Sequence, residues 1–488
     1  FKQKTAYEIK ECDWSSDVCS SDLVRHNAYK SSMPHMNKTD IYQLRRNALA
    51  KHIFAKTGGG IAVISTAPEL ARNRDSDFPY RHDSDFFYLT GFEEPGATLV
   101  MKVSANGSSH SLESHLFCRP KDLEREIWDG IRLGPEAAPK ALGIDFAYSN
   151  HDLDQKLGEL LADQTAIYIR LAQNKEADAQ LRRWMKQVRL QARSGINPPS
   201  ELHDIEVLIH EMRLFKDTHE LDIMRRAAAI SARAHIRAMQ VCKPGMREYQ
   251  LEAELLHEFR NSGAQSVAYN SIVAGGANSC ILHYRAGSTE LRSGELCLID
   301  AGCELDSYAS DITRTFPVNG KFSGPQRALY EITLAAQEAA ISMAKAGNTF
   351  MQPHEAAVKV LTQGLLDEKL IKLSDVGSLE NAIETGAYRR FYMHRTSHWL
   401  GMDVHDVGSY REEISKPQTE KPWRILRSGM VITIEPGLYI RPADDIDEAF
   451  WNIGIRIEDD AVINETGCEL ISRGVPVKVD EIEALMKH

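Results

Sequence analysis

A chain of 488 residues exceeds one ordinary domain, and 43% apolar with 26% charged residues marks a globular protein with buried cores. A formal net charge of -11 argues against a nucleic-acid footprint, which needs a basic face. No apolar run approaches the roughly 18 residues that span a bilayer, and eight cysteines without a CxxC pair suggest neither a zinc ribbon nor a disulfide framework.

The opening stretch, FKQKTAYEIKECDWSSDVCSSDLV, has no methionine and no apolar segment of the secretory kind. It resembles translated sequencing-adapter sequence. Residues 1–35 are therefore read as a non-native or disordered leader, with the natural start at Met33 or Met36. From about residue 40, IYQLRRNALAKHIF reads as a helix and GGGIAVIST as a glycine turn into a buried strand. DFFYLTGFEEPGATLVMKV reads as strands around a turn, HLFCRP and AIYIR as short strands, and ADAQLRRWMKQVRLQAR as a basic helix. The triple glycine at 58–60 is not followed by GK[ST], so a turn is favoured over a phosphate loop. Residues 36–205 form an α/β unit without a chemical motif.

SGINPPS, at 194–200, is the expected linker, because Pro198-Pro199 cannot continue a helix. Residues 206–488 read as an α+β domain, helices packed on antiparallel strands. Thr218 is the expected cap of a long helix that Pro244-Gly245 terminates, and REYQLEAELLHEFRNSG follows as a second. SVAYNSIVAGG, ELCLIDAGCEL and YASDITRTFPV read as strands, a helix pair spans roughly 324–370, and the rest is mostly strand and turn.

Acidic residues sit in unexpected places on these strands. Asp300 ends the apolar run Leu296 to Ile299, and DAGCELDSY supplies a turn that can bring Asp311 to the same side. Glu435 follows Val431 to Ile434 before a Pro-Gly turn, and Glu458 shares a strand face with Arg456. Each alone reads as a turn cap or ion-pair partner. Together with the histidines of FYMHRTSHWLGMDVHDVG (His394, His398 and His405) they read as a site. Carboxylates with an imidazole make a hard donor set that suits Mn²⁺ or a similar divalent ion. Asp300, Asp311, Glu435 and Glu458 carry charge enough for two such ions, which could hold a bridging hydroxide as nucleophile.

The ordered set LIDAGCELDSYASDITRTFPV, HRTSHWLGMDVHD, TIEPGLYI and IGIRIEDD resembles the pita-bread metallopeptidases, in particular the bacterial proline aminopeptidase (aminopeptidase P) family. HEMRLFKD and ILHYRAG fit the same group, and YRHDSDFFYLTGFEEP resembles its creatinase-like N-terminal domain. The resemblance implies metal ligands at Asp300, Asp311, His398, Glu435 and Glu458. It implies that Glu435 also handles the proton of the attacking water. His283, His394 and His405 would position the scissile carbonyl and stabilise its oxyanion, and Arg456 would orient a ligand carboxylate. The implied activity is release of the first residue from peptides with proline in second position. A cytoplasmic homo-oligomer, commonly a tetramer, is also implied.

Other readings are weaker. His-Glu pairs at 210, 219, 257 and 354 never extend to HExxH, and no GxSxG elbow occurs. Methionine aminopeptidase leaves the N-terminal unit unexplained. Prolidase, an X-Pro dipeptidase using the same five ligands, is the serious competitor. Non-catalytic pita-bread peptide binders have decayed ligands, whereas all five are present here.

Overall fold

The computed structural model describes residues 38–413 and 420–487. The expected leader and both candidate start methionines lie outside the described residues. After the helix Lys38–Thr57, Gly59 and Gly60 take positive φ and turn the chain into the strand Gly60–Ser65. A Cβ would stand 2.6 Å from the Val103 carbonyl oxygen at Gly59 and 2.7 Å from that of Ala166 at Gly60. The glycines are thus needed for close backbone approach.

A six-stranded mixed sheet runs in the order Phe146–Ser149, Ser109–Cys118, Thr98–Asn106, Gly60–Ser65, Ala166–Ile169, Glu201–Asp204. Its final strand comes after Pro198-Pro199 and pairs in parallel with Ala166–Ile169. The segment expected as a linker therefore leads into one more strand of the same sheet. Leu157, Trp184 and Val188 pack on Ile61, Val63 and Val100 across one face. On the other face Leu49, Ile53 and Phe86 meet Ala62, Ile64 and Leu99, in a core continuous with that of the C-terminal half.

Two local expectations change. DFFYLT reads as strand, yet Ser84–Thr90 is a helix: Asp83 accepts the Phe86 N–H at 3.0 Å, and Gly91 closes the helix in the left-handed conformation. Capping and burial of every residue in that helix outweigh a β preference of about 1 kcal/mol. Asp217, one residue before the expected Thr218, caps the helix Thr218–Val241. It accepts the Glu220 N–H, and Glu220 accepts the Asp217 N–H, both at 2.9 Å.

The C-terminal strands are antiparallel. Ile272–Gly275, Leu296–Asp300 and Thr313–Pro317 form one sheet; Val431–Ile434 pairs with Asp459–Ile463, and Gly437–Ile440 with Ile453–Arg456. The helices Thr218–Val241, Glu248–Asn261, Gly324–Met343 and Gln352–Asp367 flank them. No described helix is long and apolar enough to cross a membrane.

The halves meet where His82 stacks on Phe87, ring centroids 4.3 Å apart, with its Nε2 2.8 Å from Ser307 Oγ. Asp306 and Ser307, both at positive φ, form the two-residue turn between the strands Cys303–Leu305 and Tyr308–Ala309. Burial, with the Arg81 charge adding to it, lowers the His82 pKa to about 4. The unfolded chain, titrating near 6.5, binds the extra proton first, so the stability His82 contributes is lost as pH falls from about 6.5 toward 4. His82→Gln should therefore lower the urea midpoint clearly at pH 7 and much less at pH 5; an equal deficit at both would contradict this reading.

Candidate active site

Each acidic residue of the site stands where a strand ends. Asp300 closes Leu296–Asp300, whose pairing with Thr313–Pro317 sets Asp300 opposite Thr313 and brings in Asp311 two residues earlier. Glu435 follows Val431–Ile434, and Glu458 lies between Ile453–Arg456 and Asp459–Ile463. The segment 391–408 is neither helix nor regular strand. It runs beside Val431–Ile434 through Leu400 N–H to Val431 O (3.1 Å), Thr433 N–H to His398 O (3.0 Å) and Glu435 N–H to Thr396 O (2.8 Å). That lacing sets the His398 imidazole against Glu435.

These residues line one cavity of about 610 Å³, together with His283, His394, His405 and Arg456. Single donor atoms of Asp311, His398 and Glu458 lie within 4.8 Å of one another. His398 Nε2 is 3.5 Å from Asp311 Oδ2 and 3.6 Å from Glu435 Oε1, while its Nδ1 faces the Trp399 carbonyl at 3.0 Å. A proton on Nδ1 leaves Nε2 free as a ligand atom. Arg456 Nη2 donates to Asp300 Oδ2 at 2.5 Å, and Thr313 Oγ1 donates to Glu458 Oε2 at 2.6 Å.

The electrostatics are unbalanced. Burial, then the Asp300 charge, raises the Asp311 pKa. Burial, then Asp311, raises that of Glu458 well above the carboxylate range. Burial pushes Glu435 up to about 7 although His398 and Arg456 oppose it. Burial alone would lower His398, but the Asp311 hydrogen bond and the Glu435 charge override it and lift it to about 9. Arg456 and a protonated His398 are too little positive charge for these carboxylates. The donor set, oxygen and imidazole without thiolate, fits divalent cations.

His394 is placed differently from His283 and His405. Its Nδ1 is 2.8 Å from the Arg395 carbonyl and its Nε2 is 2.8 Å from Tyr439 Oη, so both ring nitrogens are engaged. Burial and then the Arg456 charge lower its pKa to about 3. The neutral ring accepts from the Tyr439 hydroxyl, which in turn accepts from Arg456 Nη1 at 3.0 Å. The His405 ring lies against His398, centroids 4.2 Å apart, and faces the cavity.

Sequence reasoning missed three participants. Tyr269 places its hydroxyl against Asp300 Oδ1 (2.6 Å) and Asp311 Oδ1, where its single proton serves one at a time. Tyr439 links His394 to Arg456. Asp460, wholly buried, accepts the Asp311 N–H at 3.1 Å. None carries a local pattern that separates it from a core tyrosine or a strand aspartate. A second acidic group, Asp85, Glu206 and His210, is already neutralised: Arg170 reaches Asp85 at 2.8 Å and Glu206 at 2.5 Å, and Arg213 reaches Asp85 at 2.6 Å.

The fold and donor set are those of a pita-bread metallopeptidase with an appended N-terminal domain. A model of metallopeptidase family M24 matches residues 222–465, and one of the aminopeptidase P N-terminal domain matches residues 42–168. The chain is 44% identical over 445 residues to the Xaa-Pro aminopeptidase of Escherichia coli, covering 91% of this chain and 97% of that protein. Solved structures of the aminopeptidase PepP of Pseudomonas aeruginosa and of proline aminopeptidase P II of Yersinia pestis superpose with TM-scores of 0.86. Each is 46% identical and covers 92% of this chain, and 98% and 99% of their own. The chain belongs to metallopeptidase family M24 and carries the aminopeptidase P N-terminal domain.

The raised carboxylate pKa values carry a test. Without metal, protons neutralise the site and its carboxylates cost stability as pH rises through about 7; metal binding must displace those protons. Calorimetric titration of chelator-treated protein with Mn²⁺, in two buffers of different ionisation heat, should find more protons released at pH 6 than at pH 8. Equal release would contradict this electrostatic picture.

Proposed function

We propose that this chain is a metal-dependent aminopeptidase that hydrolyses the first peptide bond of peptides with proline in second position. The observation that carries it is the convergence of four carboxylates and one imidazole in the cavity that also holds the three other histidines. Asp300, Asp311, His398, Glu435 and Glu458 are proposed to hold two divalent ions, manganese by the hardness of the donors. Such ions supply Lewis acidity and a water acidic enough to attack at neutral pH.

In this reading the chain's own groups do the rest. Glu435 takes a proton from the attacking water and returns it to the leaving proline nitrogen. His283 and His405 line the cavity, and their rings make no hydrogen bond among the described residues, so either can donate to the carbonyl oxygen as its charge grows. His394, engaged on both sides, holds Tyr439 and through it Arg456, which orients Asp300. The 44% identity to the Escherichia coli Xaa-Pro aminopeptidase, over 97% of that protein, favours this reading over prolidase. The six cysteines of the described residues are reduced, which fits the reducing cytoplasm.

A homo-oligomer belongs to the same proposal. Leu123, Ile127, Trp128 and Ile131 cluster on and just beyond the helix Leu123–Asp129 and are 79–85% exposed, an apolar patch that a second copy would cover. Trp128→Glu should shift sedimentation at micromolar protein toward smaller species; a monomeric wild type would refute the assembly.

Manganese-loaded protein should release the first residue of an X–Pro–Y tripeptide faster than it splits an X–Pro dipeptide. Glu435→Ala should reduce that turnover by two or more orders of magnitude, as on the order of 10²–10⁴ is expected for a lost acid/base. Cleavage of the dipeptide alone moves the assignment to prolidase, and near-normal turnover in Glu435→Ala removes the proton role.

A further inference from the structure

We propose that Glu248 is a positioning residue for catalysis: its carboxylate fastens the loop 275–289 so that His283 stands over the reacting carbonyl. The proposal rests on the reading of His283 as a substrate-facing group. Glu248 opens the helix Glu248–Asn261, distant in sequence from every metal-site candidate, and is wholly buried. Its Oε1 accepts the Gly275 N–H and Asn278 Nδ2, both at 2.9 Å. Its Oε2 accepts the Tyr284 hydroxyl at 2.9 Å and the Gly287 N–H at 3.1 Å.

Those donors are distributed around the loop. Gly275 ends the outgoing strand, Asn278 lies in the turn Gly276–Cys280, Tyr284 follows His283 directly, and Gly287 begins the return. One carboxylate thus ties both stems and the residue beside His283 to a rigid helix. No cation pairs with Glu248 among the described residues; the charge-assisted hydrogen bonds and the positive end of the helix hold it instead. The fastening is reciprocal. The Glu248 and Tyr249 N–H groups, unpartnered within their own helix, donate at 3.1 Å to the Thr289 and Gly287 carbonyls.

His283 makes no hydrogen bond of its own among the described residues. With no hydrogen bond to fix it, its ring depends on the loop that carries it, so an unfastened loop misplaces the imidazole. Glu248→Gln keeps the shape but sets an amide N–H₂ against a backbone donor, Gly275 N–H or Gly287 N–H, breaking at least one of the four bonds.

Two readouts separate positioning from mere stability. Hydrogen exchange over residues 275–289 should accelerate in Glu248→Gln while the strand Val431–Ile434 and the bound-metal stoichiometry stay as in wild type. The kcat/KM for an X–Pro–Y peptide should fall about tenfold or more, and Glu248→Gln combined with His283→Ala should be no slower than His283→Ala alone. Unchanged exchange in the loop, or additive losses in the double variant, overturns the proposal. Accelerated exchange with full activity in His283→Ala overturns it differently, by removing the substrate role of His283 and with it the reading on which it rests. Should Glu248→Gln fail to fold, Asn278→Ala removes one of the four donors to Glu248, along with the amide's contacts to Tyr284 and Thr289, and is read by the same two measurements.

Discussion

Burying carboxylates side by side is among the costliest arrangements a fold can hold, because desolvation and mutual repulsion both oppose ionisation. Asp300, Asp311, Glu458 and Asp460 are all at least nine-tenths buried here, with Glu435 beside them and the buried Arg456 paired with the Asp300 carboxylate. Much of the C-terminal half reads as the scaffold of that arrangement. The hairpin through Asp306 and Ser307 delivers Asp311 beside Asp300. Gln337, from the helix Gly324–Met343, donates to the Ile434 and Ile457 carbonyls, each directly before a site glutamate. Thr313 and Tyr269 hold carboxylate oxygens at hydrogen-bond distance. The protein itself supplies too little positive charge, which is the physical argument for cations.

Support for the site also crosses into the N-terminal half. Asp406, next to His405, accepts from Arg213 at 2.6 Å and from Lys216 at 2.9 Å, and its side chain is fully buried. Arg213 also reaches Asp85 at 2.6 Å and Asp403 at 2.8 Å, while Arg81 binds Glu304 and the Met402 carbonyl. The segment bearing His405 is therefore gripped from below by the linking helix Glu206–Leu214 and from the side by the N-terminal unit. Removing either partner of such a buried pair strands the other charge, so the network binds the two halves into one support.

The parts of this design that were legible in the sequence share a property: their signal is local. A carboxylate closing a run of Val, Ile and Leu is anomalous within five residues, and four such anomalies with clustered histidines point to one place. The strand alternation and the helix pair near 324–370 were readable for the same reason. What escaped depends on distant partners or on competition decided by one bond. Ser84–Thr90 has the composition of a strand and becomes a helix through the Asp83 cap, and the cap at Asp217 rather than Thr218 turns on a reciprocal bond with Glu220. Tyr269 meets Asp311 from 42 residues away, and Glu248 meets Tyr284 from 36 away. Nothing beside either residue announces the meeting.

Arg456 shows how the charges are apportioned. A guanidinium among these carboxylates would compete with any cation they held, yet it engages a single oxygen of Asp300 and turns its other end to Tyr439 and Thr313. Asp300 Oδ1, left to the exchangeable Tyr269 hydroxyl, remains open to a cation. His398 behaves in the same provisional way: protonated between Asp311 and Glu435 it is a weak counter-charge, and deprotonated at Nε2 it would offer the ligand atom proposed above. The arginine is fixed, whereas the imidazole can give up a proton and the phenol, its own proton held by burial, can turn its hydrogen bond from one carboxylate to the other.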